Sequence, residues 1–316
     1  MKRSTIYTMN IILWLKKITS RKAKVIVILG PTATGKTSLS IDIAKRYGGE
    51  IISADSRQVY RQLDIGSAKV TTEEMENIPH HMIDIADLQR RYTAQEFVEQ
   101  ASEHIADILA RKKTPIICGG TGMYIDSLVF GQSFPNVPPN TKLRIELEKY
   151  SIDELVKRLR SVNPKQYKNI DLNNRVRIIR AIEISEALGS IPKRKQVNRY
   201  NCLFIGLDLP RDQHQKIIQQ RIVDRLEKQN MLEEERLLLK SGIEHKRLQE
   251  LGLEYRYMSW YLLGEISYQE MIDQLTTKTV QFAKRQRTWF RRNKKIYWFN
   301  PITEKKEIDR KIKTFI

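Results

Sequence analysis

The sequence predicts an α/β protein with an inserted all-helical domain and a helical C-terminal region. Three observations carry this. The stretch GPTATGKT at residues 30–37 fits the phosphate-loop pattern G-x-x-x-x-G-K-[ST] without a mismatch. Short β-branched apolar runs alternate with helical patterns through the first half, as βαβ units of a parallel sheet do. The alternation stops at a Pro-rich stretch, 134–140, and a strand pattern returns only near residue 201. The class they define is a P-loop NTPase-like parallel sheet flanked by helices. The expected domains are an N-terminal extension at 1–23, a catalytic core at 24–131 and 200–316, and a helical insertion domain at 132–199.

The elements follow in order. VIVIL at 25–29 suits a strand buried on both faces. The loop follows, and 38–47 places Leu39, Ile43 and Tyr47 on one helical face. EIISAD at 50–55 is a strand that ends in a carboxylate, and PHHMIDI at 79–85 is a short strand. Thr93 and Glu96 form a capping box that opens a helix to about residue 113. PIICGG at 115–120 is a further buried strand, leading into Thr121 and a helix from Met123. After the Pro-rich stretch come helices at 141–150, 151–162 and 173–188. The strand CLFIGLDL at 202–209 resumes the sheet, and from Arg211 onward the pattern is helical.

A strand–loop–helix of this kind binds a di- or triphosphate. Backbone N–H groups wrap the phosphates and the helix N-terminus adds positive potential. Gly30, Pro31, Thr32, Ala33, Thr34, Gly35, Lys36 and Thr37 form the loop; Lys36 reaches phosphate oxygens and Thr37 ligates Mg²⁺. Ligands gather at the carboxyl ends of parallel strands, so the loop, Asp55-Ser56 and Gly119-Gly-Thr121 should converge on one site. Asp55 is open to three roles there: Mg²⁺ ligand, general base or helix cap. Thr121 offers a hydroxyl beside two glycines that let a ligand approach, or else it is a turn or N-cap residue. No acid ends the 115–120 strand, so the commonest ATPase arrangement is not evident.

The 316 residues include 56 Lys and Arg against 37 Asp and Glu, a formal charge of +19. Such a balance points to a polyanionic partner, nucleic acid before membrane. The positive charges cluster: 284–295 holds seven in twelve residues, interrupted by Trp289 and Phe290, which are expected in the core. Others lie at 192–195 with Arg199, and at Arg175, Arg177 and Arg180. A basic insertion domain and a basic C-terminal helix would clamp an RNA. Cys118 and Cys202 sit in apolar runs and read as buried thiols in a reducing compartment. His80 and His81 are adjacent, point to opposite faces of an extended chain, and read as structural or surface residues rather than a metal pair. No apolar run approaches the ~20 residues of a membrane span. Residues 1–24 are basic without an acid; they read as an upstream extension with Met9 as an alternative start, or as an organelle-targeting segment.

From about residue 24 to 299 the sequence resembles the bacterial tRNA dimethylallyltransferases. The resemblance rests on GPTATGKT at 30–37, GEIISADSRQVYRQLDIGSAK at 49–69, PHHMIDI at 79–85, ICGGTGMYI at 117–125, RAIEI at 180–184, GEISYQEM at 264–271 and FAKRQRTWFR at 282–291. It implies that the loop holds dimethylallyl diphosphate rather than ATP, with Mg²⁺, and that the N6 amine of the adenosine 3′ of the anticodon attacks the allylic carbon. It implies catalytic roles for Asp55 as general base, and for Thr121 and Lys36 beside the diphosphate. It implies tRNA contacts at Asp55, Ser56, Arg57, Gln58, Lys142, Val176, Arg177, Ile178, Ile179, Arg180, Tyr255, Arg256, Lys284, Arg285 and Arg287. The partners implied are the anticodon stem-loop and dimethylallyl diphosphate, with no membrane, in a cytoplasmic monomer. Relatives commonly carry Gly where Glu254 stands and Arg where Val280 stands, which touches RNA contacts and not the diphosphate site. The zinc finger of eukaryotic relatives has no counterpart. The rivals are an adenylate isopentenyltransferase acting on free AMP, ADP or ATP, a phosphate-loop kinase or ATPase, and an RNA-binding protein without catalysis.

Overall fold

The structure is a computed structural model that describes residues 22–131, 135, 137–165, 167–191 and 197–316. The extension at 1–21 and the basic stretch at 192–195 lie outside the described residues, as does part of the Pro-rich stretch. The chain divides into two compact units, residues 1–130 with 198–316 and residues 131–197.

The larger unit is built on a six-stranded sheet. Its strands are β1 (Lys24–Leu29), β2 (Gly49–Ser53), β3 (His80–His81), β4 (Thr114–Gly119), β5 (Asn201–Leu207) and β6 (Ile296–Phe299). Their order is β3-β2-β4-β1-β5-β6 and every pairing is parallel. β1 is central: Leu29 lies level with Gly119 on one side and Gly206 on the other. That register brings the residues after β1, β2, β4 and β5 to one edge. β6 corrects the expectation of helices alone after residue 211. Its four residues, IYWF, are too few to show a period, yet they close the sheet beside β5.

Helices cover both faces. α1 (Lys36–Tyr47), α2 (Thr72–Met75), α3 (Ala94–Ala110) and α4 (Gly122–Val129) belong to the first half. Ile41 and Ile43 of α1 pack with Ile26, Ile28, Ile51, Ile116 and Ile205 of the strands. Each fully buried isoleucine contributes about 2 kcal/mol of transfer free energy. α3 begins at the Thr93–Glu96 capping box and stops at Ala110. It buries Phe97, which stacks on Tyr124 of α4 at 4.2 Å.

In the smaller unit, α5 (Thr141–Leu147), α6 (Ile152–Val162) and α7 (Arg175–Leu188) enclose Leu147, Leu155, Leu159, Ile178, Ile179 and Ile182. Glu183 is buried there between Arg144 and Arg180. Its partners, Arg144 first among them, outweigh burial and hold its carboxyl well below the usual range.

The C-terminal region adds α8 (Arg211–Glu227), α9 (Met231–Lys240), α10 (His245–Leu251), α11 (Leu253–Leu262), α12 (Tyr268–Phe290) and α13 (Lys305–Phe315). α12 starts at a capping box of Ser267 and Glu270, and α13 adds Ile308 and Ile312 to the sheet core beside α1.

Candidate active site

The loop after β1 folds tightly because three of its residues have positive φ: Gly30 at 148°, Ala33 at 60° and Gly35 at 79°. Gly30 and Pro31 are buried at its base. The Pro31 carbonyl accepts from Thr34 Oγ1 at 2.9 Å and from Lys36 Nζ at 2.6 Å. Lys36 is therefore folded over the loop. Burial pulls its pKa down to about 8. Thr37 stands exposed in the first turn of α1.

Thr32 to Thr37 line a cavity of about 610 Å³. Asp55, Gln58, Ser67, Ala68, Gly119, Gly120 and Arg221 line it too, so three strand ends do meet at one site. Arg221 comes from α8, and burial lowers its pKa. Sequence reasoning missed it. It is one arginine among several in a helical run, and only the fold brings it to the loop.

Asp55 is half-buried. Its Oδ1 accepts from the Arg57 N–H at 2.8 Å and the Gln58 N–H at 3.4 Å, so it caps the turn at 56–59 and not a helix. Its Oδ2 has no hydrogen-bond partner among the described residues, so one oxygen is left for chemistry. Thr121 sits at the N-cap position of α4 without a side-chain cap and does not line the cavity. Its Oγ1 accepts from the Ser56 N–H at 3.1 Å, tying α4 to the segment after Asp55. The two glycines before it do line the cavity, and their missing side chains also allow close packing behind them. A Cβ on Gly119 would collide with the Ala54 carbonyl, and one on Gly120 with the Gln286 side-chain amide.

One wall of the cavity, residues 63–69, is held from outside. Glu234 of α9 fills a nest of backbone donors: the N–H groups of Asp64 and Ile65 donate to Oε2 at 2.9 and 2.6 Å, and that of Gly66 to Oε1 at 3.0 Å. Tyr255 Oη donates to the same Oε1 at 2.7 Å. Arg225 donates to the Ile65 and Gly66 carbonyls, and its Nη2 meets Glu254 Oε1 at 3.3 Å. Gln58 Nε2 donates to the Ala68 carbonyl at 3.1 Å, so this wall touches the Asp55 segment.

The expected RNA-facing residues divide by exposure. Lys142, Val176, Arg177, Lys284 and Arg285 are exposed, and Ser56, Arg57 and Arg256 are half-buried. Ile178, Ile179 and Tyr255 are buried, so they pack their helices and present no surface. Arg180 is committed to Glu183 and the Val137 carbonyl, and Arg256 to the Gln249 carbonyl. Arg287 is also committed: it grips Asp208 through Nε at 2.9 Å and Nη2 at 2.7 Å. Phe290 is in the core. Trp289 is not fully so; it is half-buried and donates to Asp126 Oδ2 at 2.8 Å. Cys118 is buried, while Cys202 is only partly covered.

Residues 58–293 match the model of the IPP transferase family. The chain is 44% identical over 282 residues to a tRNA dimethylallyltransferase 2 of Treponema denticola, across 87% of this chain and 94% of that one. It is 42% identical over 278 residues to a tRNA dimethylallyltransferase 2 of Shewanella sediminis, across 86% and 92%. Among solved structures, the tRNA isopentenylpyrophosphate transferase of Bacillus halodurans superposes with a TM-score of 0.70 at 36% identity, covering 93% of this chain and 96% of that one. A eukaryotic dimethylallyltransferase acting on tRNA superposes at 0.71 with 27% identity, covering 93% and 73%.

Proposed function

The chain belongs to the IPP transferase family and is a prenyltransferase, and from that premise we propose how its residues act. The donor is dimethylallyl diphosphate and the acceptor is the N6 amine of the adenosine immediately 3′ of the anticodon. The amine lone pair forms the new N–C bond at the allylic C1. The C1–O bond breaks and its electron pair leaves with diphosphate. The N6 proton passes to Asp55 Oδ2.

The observation that carries this reading is one cavity lined by both the phosphate loop and Asp55, with Asp55 anchored through Oδ1 alone. The amine is a poor nucleophile because its lone pair is delocalised into the purine. A carboxylate that accepts the proton as the bond forms removes that obstacle. The loop N–H groups, Lys36 and Arg221 neutralise the leaving diphosphate. Thr37 fits a Mg²⁺ ion: the residue is exposed and lines the cavity, and Mg²⁺ takes few protein ligands, keeping phosphate oxygens and waters for the rest. When bound, the ion supplies charge neutralisation to the diphosphate. Thr121 acts through Ser56, holding the segment that carries Asp55. The target base leaves its stack to reach Asp55. Exposed Lys142, Arg177, Lys284 and Arg285 supply phosphate contacts to the anticodon stem-loop. The enzyme works as a cytoplasmic monomer.

The test is a mass measurement on unmodified tRNA after incubation with dimethylallyl diphosphate and Mg²⁺, with AMP offered in parallel. One dimethylallyl group gained on the adenosine beside the anticodon is the expected result. A gain on AMP alone would move the chain to small-molecule acceptors. Asp55→Ala should abolish transfer and leave tRNA affinity nearly intact; equal loss of both would remove Asp55 from the role of base.

A further inference from the structure

We propose that Gln286, His214 and Arg287 are positioning residues that set the conformation of the donor loop at Thr32. The inference rests on the reading of that loop as the diphosphate site. Ala33 is a non-glycine residue in the left-handed region, at φ 60°, and such a conformation persists only where its surroundings enforce it. The enforcement falls on the residue before it. The Thr32 N–H donates to Gln286 Oε1 at 2.9 Å, and the Thr32 carbonyl lies 2.8 Å from His214 Nε2. Both ends of Thr32 are thus fixed by residues distant in sequence.

Each partner is fixed in turn. Gln286 Nε2 donates to the Gly120 carbonyl at 2.9 Å, so the amide has one allowed orientation. His214 has one allowed tautomer. A carbonyl only accepts, so Nε2 carries the proton; a guanidinium only donates, so Nδ1, 3.2 Å from Arg287 Nη2, is the lone pair. Arg287 is held by Asp208, which Arg291 also approaches at 3.6 Å. The charged groups acting on His214 are Arg287, Asp208 and Lys36. Gln286 and His214 are buried, and neither they nor Arg287 line the cavity, so all three act through Thr32. Gln286 and Arg287 belong to α12, the helix that also displays Lys284 and Arg285.

The test uses the full chain and inorganic diphosphate with Mg²⁺, titrated by calorimetry, with tRNA affinity measured alongside. Loss of one buried hydrogen bond should weaken diphosphate binding about tenfold in Gln286→Ala and in His214→Leu. His214→Gln, whose amide can donate to Thr32, should stay within about threefold of the parent, and tRNA affinity should hold in all three. Protonation of Nδ1 sets two donors face to face, so the parent should lose diphosphate affinity with acid relative to His214→Gln, at a pH below the ordinary histidine range because burial disfavours the charged ring. Parent-like binding by His214→Leu would overturn the proposal, as would a His214→Gln protein as weak as His214→Leu or one that loses affinity equally with acid. The two His214 variants decide the matter if Gln286→Ala does not fold. A parent protein that binds diphosphate but transfers nothing to tRNA would overturn the prenyl-transfer reading and leave this inference standing on the diphosphate titrations.

Discussion

Lys36 keeps its proton at neutral pH but loses it as the pH rises through about 8, because burial disfavours the ammonium. Affinity of the free enzyme for dimethylallyl diphosphate should therefore fall above that pH. Binding that holds up to about pH 9.5 would assign the essential charge to another group. Glu235 carries the opposite lesson. It is fully buried, its Oε1 accepts from Ser259 Oγ at 2.5 Å, and its Oε2 has no hydrogen-bond partner among the described residues. Burial pushes its pKa up to about 8. The folded protein thus holds a proton that the unfolded chain releases near the ordinary carboxylate value, so stability falls as pH rises from there to about 8. Glu235→Gln, which keeps an acceptor for Ser259, should raise the melting temperature more at pH 8 than at pH 5. Equal shifts at the two pH values would mean that Glu235 is ionised in the fold.

Between elements, the 63–69 wall depends on α9 rather than on its own sequence. Glu234→Ala strips three backbone N–H groups and the Tyr255 hydroxyl of their acceptor, and should cost about 2–3 kcal/mol of stability. Amide exchange at Asp64, Ile65 and Gly66 should rise with it; unchanged protection at Ile65 would mean that Arg225 alone holds the wall. Such dependence marks where sequence reading stops. The strand, loop and helix around GPTATGKT were legible because β-branched runs, a glycine pattern and a helical period lie within one short stretch. The capping box at Thr93 was legible for the same reason. Arg221, Gln286, His214 and Glu234 were not, because each reaches the site from a helix far along the chain whose local pattern is that of any amphipathic helix. Asp55 was legible as a residue but not as a geometry: only the structure separates its capping oxygen from its free one. Arg287 looked like one more phosphate contact in a basic run until Asp208 appeared beside it.

At the scale of the molecule, the charge of +19 has to be sorted into committed and free cations. Arg111 and Lys113 serve the buried Glu50, with His81 on its other oxygen, and Arg225 and Arg287 are spent inside the larger unit. Lys284 and Arg285 are exposed, and neither forms an ion pair among the described residues. Reversing both to Glu should weaken tRNA binding and lower the slope of log affinity against log salt by about two. An unchanged slope would place the RNA elsewhere on the surface.

The order of the strands also bears on how the protein is made. β1, at the middle of the sheet, pairs with β5 only after the whole 131–197 unit has intervened, and β6 is added last. A chain growing from the ribosome therefore carries β1 as an open edge through much of its synthesis. The phosphate loop emerges early, yet the groups that fix Thr32 emerge at residues 214 and 286. Nascent protein should thus hold its donor more weakly until translation is nearly finished, and a premature stop before α12 yields a chain with an intact motif and an incomplete site.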